Sequence, residues 1–141
     1  MGQQIEELAT FVAQTSLAQI PQDVQRHAKL VVLDTLGVIL AGAERPEVRQ
    51  LRDRLNATAG TGATVFARGW RQHDPRTAAF LNCVAGRAIE LGEGHRYVSY
   101  QGAMQILPGV LAIGEWAQAS GREMLAALIL GYDAGARLAA A

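Results

Sequence analysis

Apolar residues recur at helical spacing from the start of the chain. Over residues 3–16, Ile5, Leu8, Phe11 and Val12 form one stripe, with Gln3, Glu6, Glu7 and Gln14 away from it. That pattern predicts an amphipathic helix. Pro21 stands at the favoured first position of a second helix, about Pro21 to Ala41, and Asp23 suits its positive first turn. This helix is polar at first and then reads LVVLDTLGVILAG. A helix apolar on every face is expected to be central and packed on several sides, and Gly42 supplies its stop. Pro46 starts a third helix, EVRQLRDRLNATAG, with Val48, Leu51 and Leu55 on one stripe and a solvated charged face opposite. The stretch GTGATVFARGW holds the one good extended segment, Ala63–Ala67. One short strand makes no sheet alone, so it reads as an edge piece or an excursion. Gly60 and Gly62 lack the spacing and the Lys-Ser/Thr pair of a phosphate loop.

Asp74-Pro75 is an N-cap followed by a proline at the first helical position. The helix it opens, PRTAAFLNCVAGRAIEL, is rich in small residues and suited to close packing. After a polar connection, Pro108 to Ala119 and Arg122 to Ala141 give two more apolar helices, divided at Ser120-Gly121. The fold class is therefore all-α: a compact bundle of five or six helices with at most one short extended segment. Residues 1–141 read as a single helical domain.

Composition narrows the function classes. Half the 141 residues are apolar, 18% are charged and the net charge is zero, without basic or acidic blocks. That is a globular composition with no electrostatic footprint for nucleic acid or an anionic membrane. The single Cys83 can build neither a disulfide framework nor a metal quartet, which points to a reduced, cytoplasmic setting. The N-terminus carries no signal-peptide or myristoylation pattern. The longest charge-free run, Tyr97 to Gly114, is broken by Gln101, Gln105 and Pro108 and falls short of a membrane span.

The candidate chemistry lies in the connection from Gly86 to Pro108, GRAIELGEGHRYVSYQGAMQILP. It gathers Glu90, Glu93, His95, Tyr97 and Tyr100, and loops of this kind on a rigid scaffold are where chemistry usually sits. Asp34, alone in an apolar helix, has two readings: a buried catalytic carboxylate, or a structural one paired with an arginine or a helix N-terminus. The second is preferred, since structural pairs also perturb carboxylates. His27 and Lys29 read as solvated or as caps. Trp116, Met124 and Tyr132 lie at helical spacing and read as core.

Taken together, LATFVAQ, IPQDVQRHAKLVVLDTLGVILAG, ATVFARGWRQHDPRTAAFLNCVAGRAIEL and LPGVLAIGEWAQASGREMLAALILGYDAGARLAAA resemble, in order and spacing, the N-terminal part of the MmgE/PrpD family. That family includes 2-methylcitrate dehydratase, cis-aconitate decarboxylase and iminodisuccinate epimerase. The resemblance implies a helical domain, a second α/β domain absent from these residues, and a homodimer. It implies small di- and tricarboxylic acid substrates, no organic cofactor or metal, and removal of a proton next to a carboxylate. Such chemistry needs a base near an acidified C–H, an acid for the leaving group, and cations for the carboxylates.

The family's signature Ala-Leu-Asp-Phe-Asp-Asp-Thr is replaced here by Ala88-Ile89-Glu90-Leu91-Gly92-Glu93-Gly94. Glu90 thus stands at the catalytic aspartate position, Glu93 at another acidic one, and Gln101 where a His-Pro histidine falls. Gln101 cannot exchange protons near neutral pH, and His95 remains to do so. The resemblance therefore implies Glu90 as base, desolvated between Ile89 and Leu91, and His95 as acid or partner. Glu93, Arg96, Tyr97, Tyr100 and Gln101 are the implied substrate-binding residues, with no metal ligand among them. Beside these stand plainer readings: an exposed loop carboxylate for Glu90, a hydrogen-bonded loop histidine for His95, surface roles for Arg96 and Arg87, and half-buried packing for the tyrosines. At the level of function three expectations follow. One is a lyase- or isomerase-like enzyme, another a truncated helical module that dimerises or binds a ligand, and the third one half of a split enzyme completed by a second chain.

Overall fold

A computed structural model describes residues 2–55, 60–69 and 71–141. Six helices carry the fold: α1 (Gly2–Gln14), α2 (Gln22–Gly42), α3 (Pro46–Leu55), α4 (Pro75–Arg87), α5 (Gly102–Trp116) and α6 (Gly121–Ala140). Between α3 and α4 lies an antiparallel hairpin of β1 (Ala63–Val65) and β2 (Arg71–His73), with Ala63 opposite His73 and Val65 opposite Arg71. The mostly helical expectation holds. The expected continuation of α3 through 56–59 lies outside the described residues.

The core forms where α4 packs between α2 and α5. Ile39, Leu81, Met104 and Leu107 are all essentially inaccessible there. Burying each such side chain contributes about 1.5–3 kcal/mol. Small residues set the spacing. A methyl group on Gly42 would overlap the Ala85 carbonyl, and one on Gly86 would strike the Met104 sulfur and sit 3.2 Å from Ile39 Cγ1. The small-residue character of α4 thus becomes backbone-to-backbone approach.

Three expectations are corrected. First, α2 is not packed on every side. Leu30 and Leu33 are 63% and 69% exposed and Leu40 is exposed too, so one apolar row faces outward. Only the face carrying Ala28, Thr35, Val38 and Ile39 is buried. Second, Pro108 does not open α5 but lies buried inside it, seven residues in, with the helix beginning at Gly102. Pro108 has no N–H to offer the Met104 carbonyl, a cost that buried contacts outweigh. Third, the extended segment has a partner strand. Arg71 and Gln72 are exposed and only His73 is buried, so β2 carries no apolar alternation that would reveal it.

The outer edge of β1 is closed by side chains. Thr64 N–H donates to Glu115 Oε2 at 2.6 Å, Phe66 N–H to Asn82 Oδ1 at 2.8 Å, and Asn82 Nδ2 donates to the Thr64 carbonyl at 2.9 Å. Asn82, on α4 and almost wholly buried, occupies the place of a third strand. Helix α1 buries none of its residues and leans on α6, where the Arg137 guanidinium lies 5.5 Å from the Phe11 ring. Among the described residues, no helix is long and apolar enough to cross a membrane.

Two glycines on α2 test this packing. Gly42→Ala is expected to cost at least about 2–3 kcal/mol, because backbone must move to admit the methyl. Gly37→Ala meets nothing within 4 Å and should instead stabilise by about 0.5–1 kcal/mol through helix propensity. Urea midpoints of the two variants, compared at equal slope, check both signs.

Candidate functional site

Between them, α2, residues 93–97 and α6 line a cleft of about 690 Å³, within the roughly 300–1,000 Å³ usual for small-molecule sites. Val24, Leu30 and Val31 of α2 and Leu128 and Ile129 of α6 make its aliphatic walls. Its polar groups are His27 and Asp34 from α2, Tyr132 and Asp133 from α6, and Glu93, His95 and Arg96 from the connection.

Glu93 holds the connection to both helices. Its Oε1 accepts from the Ala103 N–H at 2.7 Å, in the first turn of α5, and its Oε2 accepts from the Tyr132 hydroxyl at 2.7 Å. Gln101, the residue before the helix, makes no side-chain cap. The carboxylate that satisfies a terminal N–H and faces the positive end of the helix therefore arrives from ten residues away. From Glu93 the chain enters a tight loop, closed where the His95 N–H donates to the Tyr100 carbonyl at 2.6 Å. Ser99 takes φ 46° to complete the turn.

Three rings meet at this loop. Tyr132 lies edge-on to Tyr100 at 5.6 Å between centroids and tilted against His95 at 6.3 Å. Room for them depends on Gly102 and Gly135, whose absent methyl groups would strike Tyr100 and, at Gly102, Tyr132 at 2.8 Å as well. His95 Nδ1 is buried and has no hydrogen-bond partner among the described residues. Burial first, and then the bond to Glu93, push the Tyr132 phenol well above the ordinary tyrosine range. Burial, with the Glu93 charge second, raises Tyr100 in the same direction.

The structure brings some of the expected residues together and not others. Glu93, His95, Arg96 and Tyr97 line the cleft, Arg96 exposed and Tyr97 85% exposed rather than half-buried. Tyr100 supports them from below, and Gln101 sits at the end of α5 outside the lining. Glu90 is also outside it. It is exposed rather than desolvated, adopts φ 52° after α4, and receives the Arg87 Nη2 donor at 3.0 Å. Asp34 fits neither sequence reading: it is exposed, makes no ion pair among the described residues, and faces the cleft. Tyr132, read from sequence as core, is the ring on which the site rests, whereas Trp116 is 65% exposed.

The signal for the additional residues was spacing. His27, Val31 and Asp34 follow one another at helical intervals on α2, as do Leu128, Tyr132 and Ala136 on α6. Asp133 lies beside that row and pairs with Arg137 at 2.8 Å. Arg96 is the one arginine or lysine among the described lining residues, against three carboxylates. A ligand carboxylate about 4 Å from an unpaired aspartate meets roughly 1 kcal/mol of repulsion in water, and more as water is displaced. Among the described residues, no three His, Cys, Asp or Glu side chains are grouped to hold a metal ion.

The family model of the MmgE/PrpD N-terminal domain matches residues 6–141. Among curated proteins, the cis-aconitate decarboxylase-like protein oryM of Aspergillus oryzae is 28% identical over 147 residues, covering 99% of this chain and 30% of that protein. Cis-aconitate decarboxylase of Aspergillus terreus is 25% identical over 137 residues, covering 94% of this chain and 28% of that protein. The chain spans less than a third of the length of these relatives. No solved structure matches it.

The bond between Tyr132 and Glu93 has an alkaline signature. A phenol with a raised folded pKa keeps its proton longer in the fold. Its stabilising contribution is complete below about pH 10 and is lost as pH rises through the folded value. Titration followed by tyrosinate absorbance should therefore show a late step that Tyr132→Phe removes and Glu93→Gln moves back down. A titration unchanged in both variants would contradict the bond.

Proposed function

This chain belongs to the MmgE/PrpD family, and from that premise we propose that it is lyase- or isomerase-like, moving a proton next to a carboxylate on a small carboxylate-bearing substrate. One observation carries the reading. The His95 ring lines the cleft while its buried Nδ1 has no partner among the described residues, in a loop held in place by Glu93 and Tyr132. With Nδ1 buried, Nε2 is the nitrogen left to meet a ligand, and a ring fixed at the cleft meets the first geometric need of general acid–base catalysis. Arg96 supplies a guanidinium for the substrate carboxylate. The relatives named cis-aconitate decarboxylase support a carboxylic acid as the substrate class. Proton transfer is assigned to His95 and not to Glu90, whose carboxylate pairs with Arg87 away from the cleft.

The exposed row of Leu30, Leu33 and Leu40 supports a partner surface on α2, and the reading includes a homodimer or a second chain there. A cytoplasmic setting belongs to the same reading. A ligand-binding module without turnover is the second reading, favoured by Gly94 and Gln101 in place of the family's Thr and His.

Solvent deuterium exchange into candidate acids tests the assignment. His95→Gln should slow exchange by about 100-fold or more, and Glu90→Gln should leave it within roughly threefold, since a surface ion pair contributes little. Exchange that survives in His95→Gln would overturn the role of His95. Binding without any exchange would favour the second reading.

A further inference from the structure

Helix α1 is held lightly. It buries none of its residues, and opening such a peripheral element costs little. Val12 joins a small apolar cluster of Leu17, Ile20 and Leu130, apart from the core around α4. Ile129, packed against the same cluster, also lines the cleft. The other contact of α1 is electrostatic. The Phe11 ring lies 5.5 Å from the Arg137 guanidinium carbon, and Arg137 Nε donates to Asp133 Oδ2 at 2.8 Å. Asp133 in turn lines the cleft. An acid followed four residues later by an arginine in the last turn of α6 suits both the pair and the helix dipole. The two side chains are 39% and 61% exposed, so the pair alone is weak. A ring packed on the guanidinium adds cation–π attraction and limits its freedom. Phe11, Arg137 and Asp133 thus form a row of contacts from α1 to the rim of the cleft.

Resting on the carboxylate reading above, we propose that α1 is a strap that regulates the cleft, with Arg137 the positioning residue through which it acts. With α1 docked, Phe11 keeps the guanidinium on Asp133, and the rim presents a neutral pair to an anionic ligand. With α1 lifted, Arg137 turns more freely into solvent, and the Asp133 charge meets the ligand carboxylate less screened. The docked state therefore binds the acid more tightly. Linkage requires the converse: a bound acid holds α1 down by the same factor. Neither Phe11 nor Arg137 touches a reacting atom in this arrangement. The effect falls on affinity and not on proton transfer.

Amide NMR of the full chain at low ionic strength, titrated with cis-aconitate, citrate and succinate, tests both directions of the linkage. At saturation, the tightest-binding acid should slow hydrogen exchange along α1 by about twofold to fivefold. Phe11→Leu keeps an apolar contact but removes the ring, and should weaken that acid by about twofold to fivefold. Phe11→Tyr should restore the affinity. Arg137→Gln should weaken the acid by roughly threefold to tenfold and make an added Phe11→Leu silent. Affinity unmoved by Phe11→Leu, α1 exchange unmoved by saturating acid, or effects of the two substitutions that simply add would overturn the inference. Each of these outcomes leaves the carboxylate reading intact. If none of the three acids shifts the cleft lining, the carboxylate reading falls and takes the inference with it. Phe11 and Arg137 are both exposed, so the variants are expected to fold, and a dispersed amide spectrum confirms it.

Discussion

A single carboxylate ties the site to the bundle. Glu93 accepts from the first turn of α5 with one oxygen and from Tyr132 of α6 with the other. Each contact does a different job. The first supplies an end cap that Gln101 does not, a contribution of about 0.5–2 kcal/mol in comparable cases. The second, a hydrogen bond to a charged group of the kind worth about 1.5–3 kcal/mol, fixes the azimuth of the ring beneath His95. Two helices that pack through aliphatic contacts are thereby given one relative position at the cleft. A histidine two residues further along inherits that position.

Residue patterns reveal the fold better than the site for a physical reason. Amphipathic periodicity, proline at helix starts and the Asp74 cap are local, and they place most of the helices correctly. The start of α5 is not local, because its cap comes from Glu93; proline rules alone put that start at Pro108. The strand Arg71–His73 has two exposed polar residues, so only its pairing with β1 makes it a strand. At the site, the 93–97 segment was legible as a cluster of unusual residues in a loop. The role of Tyr132 was not, since an aromatic at helical spacing looks the same whether its hydroxyl finds a carboxylate or water. Glu90 shows the converse. Its position in a family pattern suggested chemistry, yet the turn after α4 points it to Arg87 and solvent.

The cleft is built asymmetrically. Its floor rests on close approaches that glycine permits, at Gly102 and Gly135 against the tyrosine rings, and so has little freedom to rearrange. One wall is the outward row of α2, where Leu30 belongs both to the cleft and to the apolar ridge continuing through Leu33 and Leu40. Leu30 is thus the side chain shared by the cleft and the ridge.

Asn82 and Glu115 have a further consequence. A two-stranded hairpin ordinarily leaves open edges of N–H and C=O groups onto which a strand from another molecule can add. Here the outer edge of β1 is already filled at Thr64 and Phe66 by side chains from α4 and α5. The helices thus protect the hairpin from intermolecular strand addition, the first step towards fibrous aggregation. In this fold, colloidal safety on that edge is a property of a buried amide.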